Sequence, residues 1–325
     1  MPDLKNFYST RLSSFCLFLL CSSIGNAASS SPHFLTDDIK KKFDKLQTGF
    51  IYSNISFNFD SVASENSNKF KGNSNIEALY AGNIQLTDDL TWGVTYFNVK
   101  TNVDSNVKLG KTTIDTKQTI FNNSIYGHIL STYKEHFFFD VGAAYGRNII
   151  STNSTITVVN NGYTDTQNNN WFTQFSSVYS NSWRNFTYIF NAGILYSEVD
   201  AGSYNFNYTS QSSPPAFVAA LITRTIFVSE GFEFGYKTVN NGLTFTPLIN
   251  AGLVQIPVYS TSRNTIPVIN GSLPQLSVRQ NGYRAGTGVT LQHDKFMIRV
   301  EEVYYNAGNV FQSYQTVANL KYFFD

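Results

Sequence analysis

From Gly282 to the C-terminus the chain alternates apolar and polar residues with a period of two, through two and a half strand lengths broken only by tight turns. Tyr283, Ala285, Thr287, Val289 and Leu291 alternate with Arg284, Gly286, Gly288, Thr290 and Gln292. After a turn at His293 and Asp294, Phe296, Ile298 and Val300 alternate with Arg299 and Glu301. After a break at residues 306–309, Tyr314, Thr316, Ala318, Leu320, Tyr322 and Phe324 share one face, and Ser313, Gln315, Asn319 and Lys321 share the other. A period of two puts successive side chains on opposite faces of a strand. Here one face is aromatic and aliphatic, whereas the other mixes glycine with Arg, Glu and Lys. That division suits lipid outside and water inside a closed sheet.

The segments RAGTGVTLQHDKFMIRVEEVYYNAGNVFQSYQTVANLKYFFD and FEFGYKTVNNGLTFTPLINAGL carry a further signal. The first resembles the C-terminal end of an autotransporter β-domain, and the second is similar to the hairpin that precedes it in that family. The resemblance implies an outer-membrane barrel, and a helix just before the first strand would occupy its lumen. Members of such families end on an aromatic residue read by the barrel-assembly machinery. This chain ends Phe323, Phe324, Asp325, so Tyr322 and Phe324 keep the spacing one residue early and are the expected assembly signal.

The compartment is written at the other end. Lys5 and Arg11 precede the apolar run 15–20, and Gly25, Asn26 and Ala27 form a small-x-small cleavage site, so residues 1–27 are expected to be a signal peptide cleaved after Ala27. The apolar run is too short to span a bilayer as a helix. Both cysteines, Cys16 and Cys21, fall inside it, which leaves the mature chain without a disulfide framework or a cysteine-ligated metal. No later stretch could cross as a helix, so any span must be made of strands. With 325 residues, 14% charged, 16% aromatic and a net charge of +1, the chain offers no basic patch for nucleic acid.

Within the segment 28–47, Thr36 can cap a helix whose Ile39, Phe43 and Leu46 form one stripe opposite Lys40, Lys41, Lys42 and Lys45. A short lumen plug and a frayed periplasmic helix both fit it. Few residues precede this helix, so no passenger is expected. Residues 48–325 then read as a closed antiparallel twelve-stranded transmembrane β-barrel, with strands at 48–59, 76–86, 90–100, 117–131, 136–150, 170–181, 183–199, 221–238, 243–258, 277–292, 295–305 and 310–324. Short connections at 87–89, 132–135, 182, 239–242 and 293–294 interleave with long ones at 60–75, 101–116, 151–169, 200–220 and 259–276. That rhythm places short turns in the periplasm and long loops outside. A soluble sandwich or lipocalin-like barrel would instead need loops of similar length at both ends and a consistently apolar interior.

If the polar faces turn inward, Glu77, Asp140, Glu233, Lys237, Arg284, Arg299, Glu301 and Lys321 line the lumen. Such a layer could grip a basic helix, tune ion passage, or simply neutralise itself. Pairing about His293 and Asp294 sets Gly286 opposite Glu301 and Gly288 opposite Arg299, with Arg284 diagonal to Glu301. Glu230 and Glu302 fall on the lipid face, where a carboxylate calls for an interface or a bulge. No enzyme is expected. His33, His128, His136 and His293 all lie on the periplasmic side, away from an outer rim carrying Asp104, Asp115, Asp165 and Asp200, and no cofactor or metal motif occurs. The expected protein is a structural or pore-forming barrel, with a small-solute porin or a loop-borne adhesin as alternatives. Its expected partners are outer-membrane lipid, lipopolysaccharide, the assembly machinery and a host or cell-surface ligand at the loops, and it is expected to be a monomer.

Overall fold

The computed structural model describes residues 46–63, 66–109, 112–134, 136–156, 161–208, 216–218, 220–262, 281–308 and 311–324. The expected signal peptide and residues 36–45 of the helix expected over 36–47 lie outside them, whereas Gln47, its expected last residue, is strand. Fifteen strands follow in order: β1 (Gln47–Ala63), β2 (Asn66–Thr87), β3 (Leu90–Leu109), β4 (Thr112–Tyr133) and β5 (Phe137–Ile156) come first. Next are β6 (Gly162–Trp183), β7 (Phe186–Ala201), β8 (Tyr204–Tyr208), β9 (Ala216–Val218) and β10 (Leu221–Tyr236). The chain ends with β11 (Thr238–Asn240), β12 (Leu243–Thr261), β13 (Gly282–His293), β14 (Phe296–Ala307) and β15 (Phe311–Phe323).

Twelve of these close into one antiparallel ring, in the order β1 to β7, β10, then β12 to β15. Closure is made by β1, which pairs with β2 on one side and with β15 on the other, from Gln47 opposite Phe323 to Phe59 opposite Phe311. A ring leaves no row of unpaired backbone groups, the condition for strands in hydrocarbon. β8, β9 and β11 stand outside it: β8 bridges β6 and β9, and β11 folds onto β12.

Each expected strand is present, but several run further from the membrane than hydropathy alone suggests. Residues 60–75 and 101–116, expected as loops, are largely strand. Their Ser, Thr, Asn and Asp side chains bond across the ladder, as when Asn106 Nδ2 donates to Asp115 Oδ1 at 2.6 Å. Apolar contrast is weak there because the buried face mixes Val103, Val107 and Ile114 with Thr101, Ser105 and Thr116. The short turns use left-handed residues where the chain must reverse in two positions: Lys134, Arg184, Asn241 with Gly242, and Asp294 all have positive φ.

The last turn corrects the expected register. His293 pairs with Phe296, so the reversal is made by Asp294 and Lys295, and every pairing moves by two residues. Gly286 therefore faces Val303, Gly288 faces Glu301 and Thr290 faces Arg299. The expectation that large side chains stand opposite glycines survives; the particular partners do not.

Candidate functional site: the lumen and the membrane belt

Outward side chains on the ring sort by height. Near the short turns lie Tyr133, Phe137, Trp183, Phe186, Tyr236, Phe296 and Tyr322, and further up lie Tyr145, Trp171, Tyr196, Tyr283, Tyr304 and Tyr314. On β14, Phe296 and Tyr304 are separated by eight residues, about 20 Å of height at about 3.3 Å per residue and a tilt of about 40°. Between the two belts the outward positions of β3 to β7 include the bulky apolar Ile125, Ile129, Val141, Phe175, Phe190 and Ile194, with the smaller Gly127, Ala143, Thr173, Ser177 and Ala192 among them. An apolar band bounded by aromatic girdles is the outer surface of a transmembrane barrel. Among the described residues no helix is long and apolar enough to cross a membrane.

Inside, contacts skip strands, which the inward curvature of the sheet permits. Arg299 on β14 reaches past β13 and β12 to Glu233 on β10, donating Nη1 to Oε1 at 3.0 Å and Nη2 to Oε2 at 2.6 Å. Its Nε also pairs with Glu301. Arg284 on β13 reaches Asn191 Oδ1 on β7 at 3.3 Å. It can do so because its path crosses Gly231 and Gly252, where an added Cβ would lie 2.8 Å from Nη2 and 2.9 Å from Nε. Lys321, 1% exposed, sits with Nζ 5.6 Å from the Tyr80 ring centroid. On the opposite wall His128 Nδ1 lies 3.1 Å from Asp140 Oδ1, with the Tyr126 ring stacked on the imidazole and the Tyr126 hydroxyl accepting from Gln174 Nε2 at 2.6 Å.

Of the residues expected in the lumen, Asp140, Glu233, Arg284, Arg299, Glu301 and Lys321 point inward. Arg299, Glu233 and Glu301 come together, whereas Arg284 takes Asn191, three strands away, and not the expected Glu301. Lys237 is half-buried at a short turn, where its backbone N–H donates to Asn185, outside the charged layer. Glu77 is a correction: it is exposed on the outer face, because register fixes Ser53, Ile76 and Val99 as the inward residues at that level. Tyr322 faces outward against Phe296 at 5.0 Å and meets Phe324 edge-on at 4.9 Å.

The inner wall is not uniformly polar. Ile51, Ile55, Phe57, Phe70, Ile76, Phe97, Val99, Val103, Ile120 and Phe172 belong to one buried apolar cluster above the charged layer. On β4 to β6 that collar is interrupted by amides: Asn122 Nδ2 donates to Asn148 Oδ1 at 2.7 Å and to Asn170 Oδ1 at 3.0 Å, and Asn148 Nδ2 donates to Asn168 Oδ1 at 2.6 Å. Sequence reasoning did not select these residues. Asn122, Asn148, Asn168 and Asn170 keep a common parity, but in an Asn-rich chain that spacing reads as loop.

The outer carboxylates behave differently from one another. Thr316 Oγ1 donates to Glu302 Oε1 at 2.7 Å on the outer face, one outward position below Tyr304. Glu230 is exposed between Ala192 and Leu253, three residues from the bulge at which the pairing of β10 with β12 slips. Higher still, Glu198 accepts from Arg224 Nε at 2.7 Å, Tyr196 Oη at 3.0 Å and Trp171 Nε1 at 3.3 Å. The Arg224 hydrogen bond leads in holding its carboxyl below the ordinary value. Beyond the band, an open recess of about 570 Å³ involves Asp60, Lys69, Lys71, Asp104, Asp115 and Lys117. Among the described residues no group of His, Cys, Asp and Glu is placed to hold a metal ion.

No family model and no curated protein sequence matches the chain. Solved structures do. The translocator domain of the autotransporter NalP from Neisseria meningitidis superposes with a TM-score of 0.67 at 10% identity, covering 98% of this chain and 99% of that one. The β-domain of the Bordetella autotransporter BrkA gives 0.58 at 14% identity over 85% and 100% of the two chains. The transport unit of AIDA-I from Escherichia coli gives 0.55 at 12% over 92% and 97%. A ring of twelve antiparallel strands, closed between its first and last and superposing on these barrels over nearly its whole length, has the fold of an autotransporter translocator domain.

Proposed function

We propose that this chain is an integral barrel of a Gram-negative outer membrane, of translocator type, that serves as a structural or pore-forming element. The observation that carries the reading is the apolar outward band held between two aromatic belts on a sheet without edges. Tyr322 and Phe324, both outward on or just after the closing strand, serve as the assembly signal, and the aromatic belts meet lipid and lipopolysaccharide. The inward arrangement supports a restricted passage and not an open porin. A charged layer built on Arg299, Glu233 and Glu301 lies below a buried apolar collar, and hydrophilic solutes gain nothing from entering such a collar. The reading includes no catalytic step: His128 is committed to Asp140 and packed under Tyr126, with no water-facing nucleophile hydrogen-bonded to it.

Membrane fractions run with and without boiling test the barrel itself. A folded barrel migrates faster unheated, and a chain whose mobility ignores heating is not one. Planar-bilayer recordings of the full chain and of a chain lacking residues 28–47 then test the restriction. The reading expects low conductance from the full chain and a rise on deletion, whereas equal, large conductance in both marks an open porin.

A further inference from the structure

The lipid-facing surface is not equally apolar all round. Thr287, Glu302, Thr316, Asn54 and Asn75 are successive register partners on β13, β14, β15, β1 and β2, and all five turn outward. They form a continuous polar ladder that starts within the hydrocarbon band and climbs toward the upper belt. Its members bond along the ladder: Thr316 donates to Glu302 at 2.7 Å, and Asn54 Nδ2 donates to Asn75 Oδ1 at 2.5 Å. One hydroxyl satisfies one lone pair of a carboxylate that has about four acceptor sites, and a carboxylate facing hydrocarbon is costly. On β4 and β5 the outward positions equally far from the turn are Gly127 and Ala143, with Ile129 and Val141 one outward position lower.

We infer that this ladder is a contact surface for a second copy of the chain in the same membrane. The inference rests on the membrane placement proposed above. Copies in one bilayer share orientation and depth, so a two-fold axis along the membrane normal brings residues of equal height together. Small side chains at Thr316 and Ala318 give β15 a flat line for such an axis. With the axis there, β14 of each protomer faces β1 of its partner. At a tilt of about 40°, two strands shift equal height by about two residues, which sets the Asn54 amide near the level of Glu302, beside the Tyr52 hydroxyl that donates to Asn75 Oδ1 at 3.4 Å. The surface is self-complementary: a carboxylate on one side of the axis meets an amide donor on the other, twice. A basic membrane protein or lipid alone would satisfy the carboxylate but offer no acceptor to the second N–H of Asn54 Nδ2, whose other N–H serves Asn75 Oδ1.

Single cysteines test this in a background with Cys16→Ser and Cys21→Ser, using oxidation by copper phenanthroline in native membranes. Thr316→Cys on the axis should give a band at twice the monomer mass, and Asn54→Cys serves as a second probe beside it. Ile129→Cys, on the bulky apolar side, should give none. Adding Glu302→Leu to Thr316→Cys should abolish the dimer band while the barrel remains heat-modifiable. Heat-modifiable barrels that show no dimer at Thr316 or Asn54, that cross-link equally at Ile129, or that cross-link to a protein of another mass overturn the inference and leave the barrel reading standing. Loss of heat-modifiability in the background chain removes the membrane placement itself.

Discussion

Arg299 closes both guanidinium nitrogens on the two carboxylate oxygens of Glu233, three strands away around the inner wall, while its Nε holds Glu301. This one cation fastens β14 to β10 across the lumen, and its side chain and those of its partners are all nearly buried. Removing it by Arg299→Ala leaves two buried carboxylates facing each other. The expected loss is about 3–5 kcal/mol, read as a lower denaturant midpoint of the reconstituted barrel. Arg299→Ala combined with Glu233→Ala and Glu301→Ala should recover much of that loss, because no buried charge is then left over.

Gly288 faces Glu301 so closely that an added Cβ would lie 2.8 Å from its Cγ and 2.5 Å from the Val300 carbonyl oxygen. Backbone cannot move aside in a ladder bonded on both edges. Gly288→Leu should therefore destabilise the barrel by about 1–3 kcal/mol and displace Glu301 from Arg299. A shift in heat-modifiability temperature checks the first effect, and changed single-channel conductance checks the second.

Asn148 is fully buried and donates to both Asn168 and Asn170 while accepting from Asn122. Asn148→Leu keeps the branching of the side chain but leaves Asn168 Oδ1 without its donor and Asn122 and Asn170 with only each other in this network. It should cost about 1–3 kcal/mol, measured by unfolding of the reconstituted protein. Asn153→Leu, on the exposed outer face of β5, should cost far less.

Glu198 lies above the upper aromatic belt, and Arg224 leads Tyr196 and Trp171 in lowering its carboxyl pKa. Such a group contributes stability in full above the ordinary carboxylate value and loses it as pH falls through the lower folded value. Wild-type protein should therefore lose more stability than Glu198→Gln between neutral pH and the acid end of the carboxylate range. Parallel curves for the two proteins would show that the hydrogen bonds of Glu198 do not act on folding.

Glu230 sits outward among Ala192, Leu253 and Phe232, and among the described residues no donor is bonded to it. Glu230→Leu should stabilise the barrel in liposomes, by about 1 kcal/mol or more if the carboxylate lies well inside the band. Equal stability would place this position in the headgroup region.

The number of strands, their alternation and the short periplasmic turns were legible because each depends on neighbours in sequence: a period of two, and a turn residue able to adopt positive φ. The last hairpin shows the limit of that reasoning. Alternation fixed which side of β13 and β14 is which, yet whether the reversal used His293 and Asp294 or Asp294 and Lys295 changed every partner by two, and only pairing across the ladder settled it. Glu77 shows a second limit. On β2 both faces carry apolar residues, since the inner wall there packs Ile76 and Ala78 into a buried cluster while the outer face meets lipid. Hydropathy cannot tell a dry interior from hydrocarbon. What the sequence determined by itself was that this chain makes amphipathic strands joined by alternating short and long connections. Which face turned inward, which charges met across the lumen, and where polar side chains were left against lipid were decided by closure of the ring, because only a closed sheet brings strands distant in sequence to one depth and one axis.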